Sequence, residues 1–188
     1  MTETDGRRKR SQTSRDQIVA AMIALVEEGH VAPTAELVAA RAAVGLRTVF
    51  RHFADMESLY VAMSAALSVH YEMWLVPFTA TGWRAQLVEA AERRIVTYER
   101  LLPFKRAADA HRHMSPAIQR EHERILALMR ARLLSILPAA AGNAVVETID
   151  LMLSFEAWQR LRGDQHQPVD SARAIVLAEI DRLSKALG

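Results

Sequence analysis

The chain has 188 residues, 51% of them apolar, with seven glycines, six prolines and a formal net charge of +2. That is too apolar for a disordered chain and poor in turn formers, so it predicts a helical protein of one or two domains. The absence of cysteine excludes disulfides, thiolate metal sites and cysteine nucleophiles.

Residues 1–13 (MTETDGRRKRSQT) are polar, charged and non-periodic, and read as a flexible arm. Its Arg7, Arg8, Lys9 and Arg10 are available to phosphates or a minor groove. Between Arg7 and Phe53, with Arg15, Arg41, Arg47 and Arg51, they stand against Asp16, Glu27, Glu28 and Glu36, a local excess of +4 beside +2 for the whole chain. A basic start on a near-neutral body suits a nucleic-acid module joined to something else, and equally a solvated charged terminus. No apolar run follows the basic start before Ile18, and no stretch approaches the ~20 apolar residues of a spanning helix. A cytoplasmic protein is the expectation.

Ser14 has the form of an N-cap, with Asp16 in the first turn and Gln17 at capping-box distance. Ile18, Met22, Leu25 and Val26 then mark one face of a helix over 14–28, ended by Gly29. Thr34 caps a second helix, 35–41, with Leu37 and Val38 inward. Val44 and Gly45 supply a turn, and a third helix spans roughly 46–52 with Val49 and Phe53 inward. Leu46, Arg47, Thr48, Phe50, Arg51 and His52 are left outside. Ala39, Ala42 and Ala43 are small enough for the two helices to cross closely. This is a helix-turn-helix pattern.

Asp55 caps a fourth helix that runs to about Trp74, and Pro77 stops it. A helix over 83–102 is expected to break at Pro103, with a short helix at 104–113. Ser115-Pro116 opens another to about Leu137. Helices follow at about 144–162 and 168–187, separated by the loop GDQHQ. Both are apolar on more than one side: Ile149, Leu153, Ala157 and Leu161 with Val145, Leu151, Phe155 and Trp158 on the first, and Ala172, Ile175, Val176, Ile180, Leu183 and Leu187 on the second. Such breadth implies a second packing partner, most simply a two-fold-related copy, or a central place in the monomer. The whole reads as all-α with about nine helices, divided into an N-terminal domain over 1–55 and a helical body over 56–188.

Thr34, Val38, Ala39, Ala42, Ala43, Val44, Gly45, Arg47, Thr48, Val49, Phe50, His52, Phe53, Asp55, Met56, Glu57 and Leu59 together follow the motif of the tetracycline-repressor (TetR) family of bacterial transcription regulators. Residues 14–60, about a quarter of the chain, resemble that family's DNA-binding domain. Four positions depart from the pattern. Ala43 replaces the turn glycine and Gly45 the usual serine cap. Phe50 stands for a tyrosine whose hydroxyl reaches a phosphate, and Met56 for a lysine that contacts the DNA backbone.

The resemblance implies a homodimeric repressor, bound to double-stranded operator DNA and released by a small molecule. It places Leu46 and Arg47 at base edges, Thr34, Thr48, Arg51 and His52 on phosphates, and Phe50 on a thymine methyl or on sugars. Dimerisation is expected through the last two helices, with half-sites about 34–36 Å apart. The resemblance also implies an effector cavity in the body, for which Trp74, Trp83, Tyr98, Phe104, Met114, Met152, Phe155 and Trp158 are the candidates. Their number favours an apolar or aromatic effector over a sugar or a metal. His111-Arg112-His113 places two histidines at i, i+2, which do not share a helix face, so a metal there would need further ligands such as Glu121 or His122. No cofactor is expected. An all-α enzyme or ligand carrier, and a constitutive DNA binder without effector, are the competing readings. The first is opposed by the lack of a Gly-rich phosphate loop or nucleophile elbow in the sequence. Effector identity, operator sequence and the choice between repression and activation are not legible in the residues.

Overall fold

A computed structural model describes residues 3–139 and 142–187. Within them the chain is all-helical. Helices α1 (Glu3–Glu27), α2 (Ala35–Arg41), α3 (Leu46–His52) and α4 (Met56–Leu67) are followed by a 3-10 turn (Ser68–Tyr71) and α5 (Glu72–Leu75). Then come α6 (Trp83–Arg112), α7 (Pro116–Leu134), α8 (Asn143–Met152), α9 (Phe155–Gln159), a π turn (Arg160–Asp164) and α10 (Val169–Lys185). None of the described helices is long and apolar enough to cross a membrane.

The chain divides into two compact units: Met1–Val69 with Pro103–His122, and His70–Leu102 with Glu123–Gly188. Residues 56–69 and 103–122, expected in the body, thus fall in the first unit. The reason lies in their side chains. Leu59, Tyr60 and Met63 of α4 are buried, and α4 packs on α1. The Tyr60 hydroxyl donates to the Val31 carbonyl (3.1 Å), and its ring lies 4.4 Å from that of His111. Ser115 donates from Oγ to Glu57 Oε1 (2.6 Å).

In the first unit α1 starts at Glu3, so Ser14 lies inside the helix and residues 3–13 are helical rather than an arm. The polar residues there bond along the helix: Gln12 Nε2 donates to Asp16 Oδ1 (2.7 Å) and Thr13 Oγ1 to the Lys9 carbonyl (2.9 Å), both at i, i+4. Residues 1 and 2 of the expected arm lie outside the described residues, as do the side chains of Arg7 and Arg10. Ile18, Met22, Leu25 and Val26 are buried as their spacing predicts. Leu37, expected inward, is exposed, and Ala35, Val38 and Ala39 form the buried face of α2 instead.

The second unit is built on one core of α6, α7, α8, α9 and α10 side chains, including Leu87, Ala91, Ile95, Leu133, Ile149, Leu153, Trp158, Val176 and Ile180. Three expectations about helix ends fail along the chain for local reasons. The helix after Asp55 does not reach Trp74 unbroken, because Ser68 N and Oγ both bond the Ala65 carbonyl and tighten the chain into a 3-10 turn. Pro103 does not end α6; Leu101, Phe104 and Ala107 are buried on either side of it, and packing outweighs the lost backbone hydrogen bond. The helix expected over 144–162 is interrupted at Leu153-Ser154, where Ser154 Oγ accepts from Ala157 N (3.1 Å) and caps a new helix.

The Leu153 carbonyl exposed by that break meets two donors from α6, Arg94 Nη1 (3.0 Å) and the Tyr98 hydroxyl (2.8 Å). Arg94 is 4% exposed and also donates from Nη2 to the Met129 carbonyl at 2.7 Å, with Asp150 4.0 Å away. Burial holds the Tyr98 phenol well above its ordinary pKa, so it stays a donor. Tyr98→Phe should cost about 1 kcal/mol, since Arg94 still serves Leu153, whereas Arg94→Met should cost roughly 3 kcal/mol by removing two buried hydrogen bonds from a charged donor at once, those to the Leu153 and Met129 carbonyls. Urea unfolding of the two variants checks the order and the gap.

Candidate nucleic-acid interface and ligand cleft

The turn between α2 and α3 is set by backbone conformation. Ala43 has φ 53°, the left-handed region that a glycine would occupy freely. Its N–H bonds the Ala40 carbonyl and that of Val44 bonds Ala39, which closes α2. α2 carries its own cap, since Thr34 Oγ1 accepts from Leu37 N (3.3 Å). α3 does not: Gly45 stands at its N-cap position with no side chain to offer. What holds α3 is its inner face, Val49 and Phe53, both buried. The Arg15 guanidinium lies over the Phe53 ring at 4.9 Å.

The remaining residues of α3 fall into pairs one turn apart. Leu46 (38% exposed) and Phe50 (47%) form an apolar strip. Arg47 and Arg51 form an exposed basic strip beside it, and neither pairs with a carboxylate among the described residues. Thr48 and His52 flank them, half-buried. Every residue expected to touch DNA on this helix is therefore at or near the surface on adjoining faces. Thr34 is exposed too, and its hydroxyl can still donate while it caps α2. Arg41, counted among the basic residues, is tied to Glu28 (Nη1 to Oε1, 2.7 Å) and adds little free charge. Arg15, one of the basic residues of the N-terminal part, comes to lie beside α3 only once α1 packs on it.

His52 has its pKa lowered in this surface. Burial lowers it first, and the neighbouring Arg51 and Arg15 add to the effect. Its Nε2 is buried without a hydrogen-bond partner among the described residues.

Of the residues expected around an effector, Tyr98, Phe155 and Trp158 are core of the second unit, with Trp83 and Met152 packed against it. Trp158 Nε1 donates to Glu99 Oε2 (3.1 Å), and Arg162 grips the same carboxylate. Phe104 and Met114 belong to the first unit, the former buried and the latter 76% exposed. The eight are thus not brought to one cavity. Trp74 alone of them lines a cleft in the second unit, with Leu75, Phe78, Ala90, Arg93, Arg94, Leu128, Met129 and Arg132. The cleft encloses about 20 Å³ and, counted with its open mouth, about 330 Å³. His111 lies against Tyr60, and no three His, Asp or Glu side chains converge among the described residues.

An all-α chain with a helix-turn-helix near one end, its second helix showing a basic strip beside an apolar one, defines a recognisable class of architecture. No protein-family model and no curated protein matches the chain. Among solved structures it is similar to the crystal structure of a candidate transcriptional regulator from Streptomyces coelicolor A3(2), at 20% identity and a TM-score of 0.59, covering 90% of this chain and 97% of that one. At that identity the likeness is one of fold.

Two outcomes test the geometry. Ala43→Gly should stabilise the protein by about 0.5–1 kcal/mol by relieving the left-handed alanine, read as a raised urea midpoint. His52 has a folded pKa below its unfolded one, so its contribution is complete above about pH 6.5 and is lost as pH falls below it. The stability lost between pH 7.5 and 5.5 should therefore be smaller in His52→Asn than in the wild type.

Proposed function

We propose that this protein is a transcription regulator of the tetracycline-repressor type, binding operator DNA as a homodimer and released from it by a small molecule. The observation that carries the reading is the outer surface of α3. Two arginines without carboxylate partners and two exposed apolar side chains share a helix whose inner face is fully used. Such a surface is costly in water and suits a major groove, where Arg47 would take guanine O6 and N7 while Phe50 meets a thymine methyl. Thr34, Thr48, Arg51 and His52 would set register on phosphates, with Arg15 as a further cation near them. Phosphate beside His52 would raise the pKa that burial lowers, so binding should tighten as pH falls.

Support for a dimer comes from the last helices. Leu151 is 65% exposed on α8, and Val169 and Ile175 are exposed on α10, while the opposite faces of both helices are spent on the core. These apolar residues fit a two-fold contact through 144–162 and 168–187. The reading is of a cytoplasmic, non-enzymatic protein; repression is the sense in which a bound dimer most simply acts.

The test is selection of duplexes from a random library by the whole chain, followed by gel shifts. A palindrome with half-sites one helical turn apart should emerge, and the isolated half-site should bind far more weakly. Arg47→Ala should lower affinity for the selected palindrome roughly tenfold or more, leaving scrambled DNA nearly unaffected. An unenriched pool, or an Arg47→Ala protein with unchanged base preference, would overturn the proposal.

A further inference from the structure

The cleft of the second unit has an unusual lining. Trp74, Leu75, Phe78, Ala90, Leu128 and Met129 make it apolar, yet three guanidiniums and no carboxylate share its wall. Two of the three are spent. Arg94 is buried and committed to the Leu153 and Met129 carbonyls, with Asp150 4.0 Å away. Arg93 pairs with Glu89 and donates to the carbonyls of Met73 (3.0 Å), Val76 (2.6 Å) and Pro77 (2.9 Å).

Arg132 is different. Its guanidinium lies over the Phe78 ring, 4.0 Å from the centroid, and makes one hydrogen bond, Nη2 to the Val76 carbonyl at 3.0 Å. It has no carboxylate partner among the described residues, and its Nε–H is buried without an acceptor. A guanidinium carries five N–H donors in a fixed plane. Leaving a buried one unmet beside an unneutralised charge is costly, and the matching group is a planar anion that takes two donors side by side.

We propose that this cleft binds a small organic carboxylate with an apolar body, its head on Arg132 and its body against Trp74, Leu75 and Leu128. The enclosed space of about 20 Å³ admits little more than a head group, on the scale of one ordered water, so the body lies along the open mouth. Leu75, 58% exposed, supplies apolar surface there. The assignment rests on the proposed regulator only in that it names the kind of molecule such a regulator would sense. Binding is read without DNA, so a failure of DNA binding leaves it standing.

Calorimetric titration of the full chain tests it with three probes: sodium octanoate (head and body), 1-octanol (body alone) and inorganic phosphate (anion alone). Octanoate should bind one per chain, about tenfold or more tighter than either of the others. Arg132→Gln should remove that advantage while leaving octanol binding unchanged. Arg132→Lys, which keeps the charge and loses the fork, should fall between, and covers the case in which the glutamine variant does not fold. Octanoate binding no tighter than octanol, phosphate binding as tightly as octanoate, or an advantage that survives in both variants would each overturn the assignment.

Discussion

One buried cation organises the second unit. Arg94 reaches from α6 to carbonyls of two other helices, one on α7 and one at the break between α8 and α9. A helix interrupted in a core leaves carbonyls that must be met, and water is not there to meet them. Arg94 and Tyr98 do so from adjacent turns of one helix, so the register of α6 against its neighbours is fixed by hydrogen bonds as well as by apolar packing. The break also frees Phe155 and Trp158 to turn into the core, where Phe155 meets Tyr98 edge-on at 5.3 Å.

Carboxylates are distributed just as selectively. Arg41, Arg130, Arg162 and Arg173 are paired to Glu28, Glu147 with Asp150, Glu99 and Glu92. Several of these pairs sit at the surface, where each contributes little stability. Their effect is to neutralise those helices, so that the guanidiniums left without carboxylate partners among the described residues, Arg47, Arg51 and Arg132 among them, stand out as places where an anion from elsewhere would fit.

The elements most legible in the sequence were those set by local chemistry. The Ile18-Met22-Leu25-Val26 stripe, the Thr34 cap and the inward Val49 and Phe53 all follow from spacing and side-chain type. Where tertiary contacts outweigh local preference, the reading failed. Pro103 is an ordinary helix breaker until buried neighbours hold the helix through it. Ser154 looks like any serine inside an apolar helix until a partner for the preceding carbonyl exists. The polar start of α1 gave no apolar period to detect, yet it is helical. The outer face of α3 was readable because exposure follows from what the inner face must bury. The cleft was not, because Trp74 and Phe78 lie far along the chain from Arg132, and only the fold brings the two stretches together.

The missing cap on α3 has a consequence for motion. A seven-residue helix is too short to persist alone, and α2, of the same length, at least has Thr34 to close its first turn. α3 depends on two side chains, Val49 and Phe53. Its amides are therefore the ones whose exchange with solvent proceeds through small local openings rather than through unfolding of the whole unit. Under the proposed function, a surface built that way would follow the width and bend of a duplex, which would make the shape of a DNA site, as well as its base edges, part of what such a helix reads.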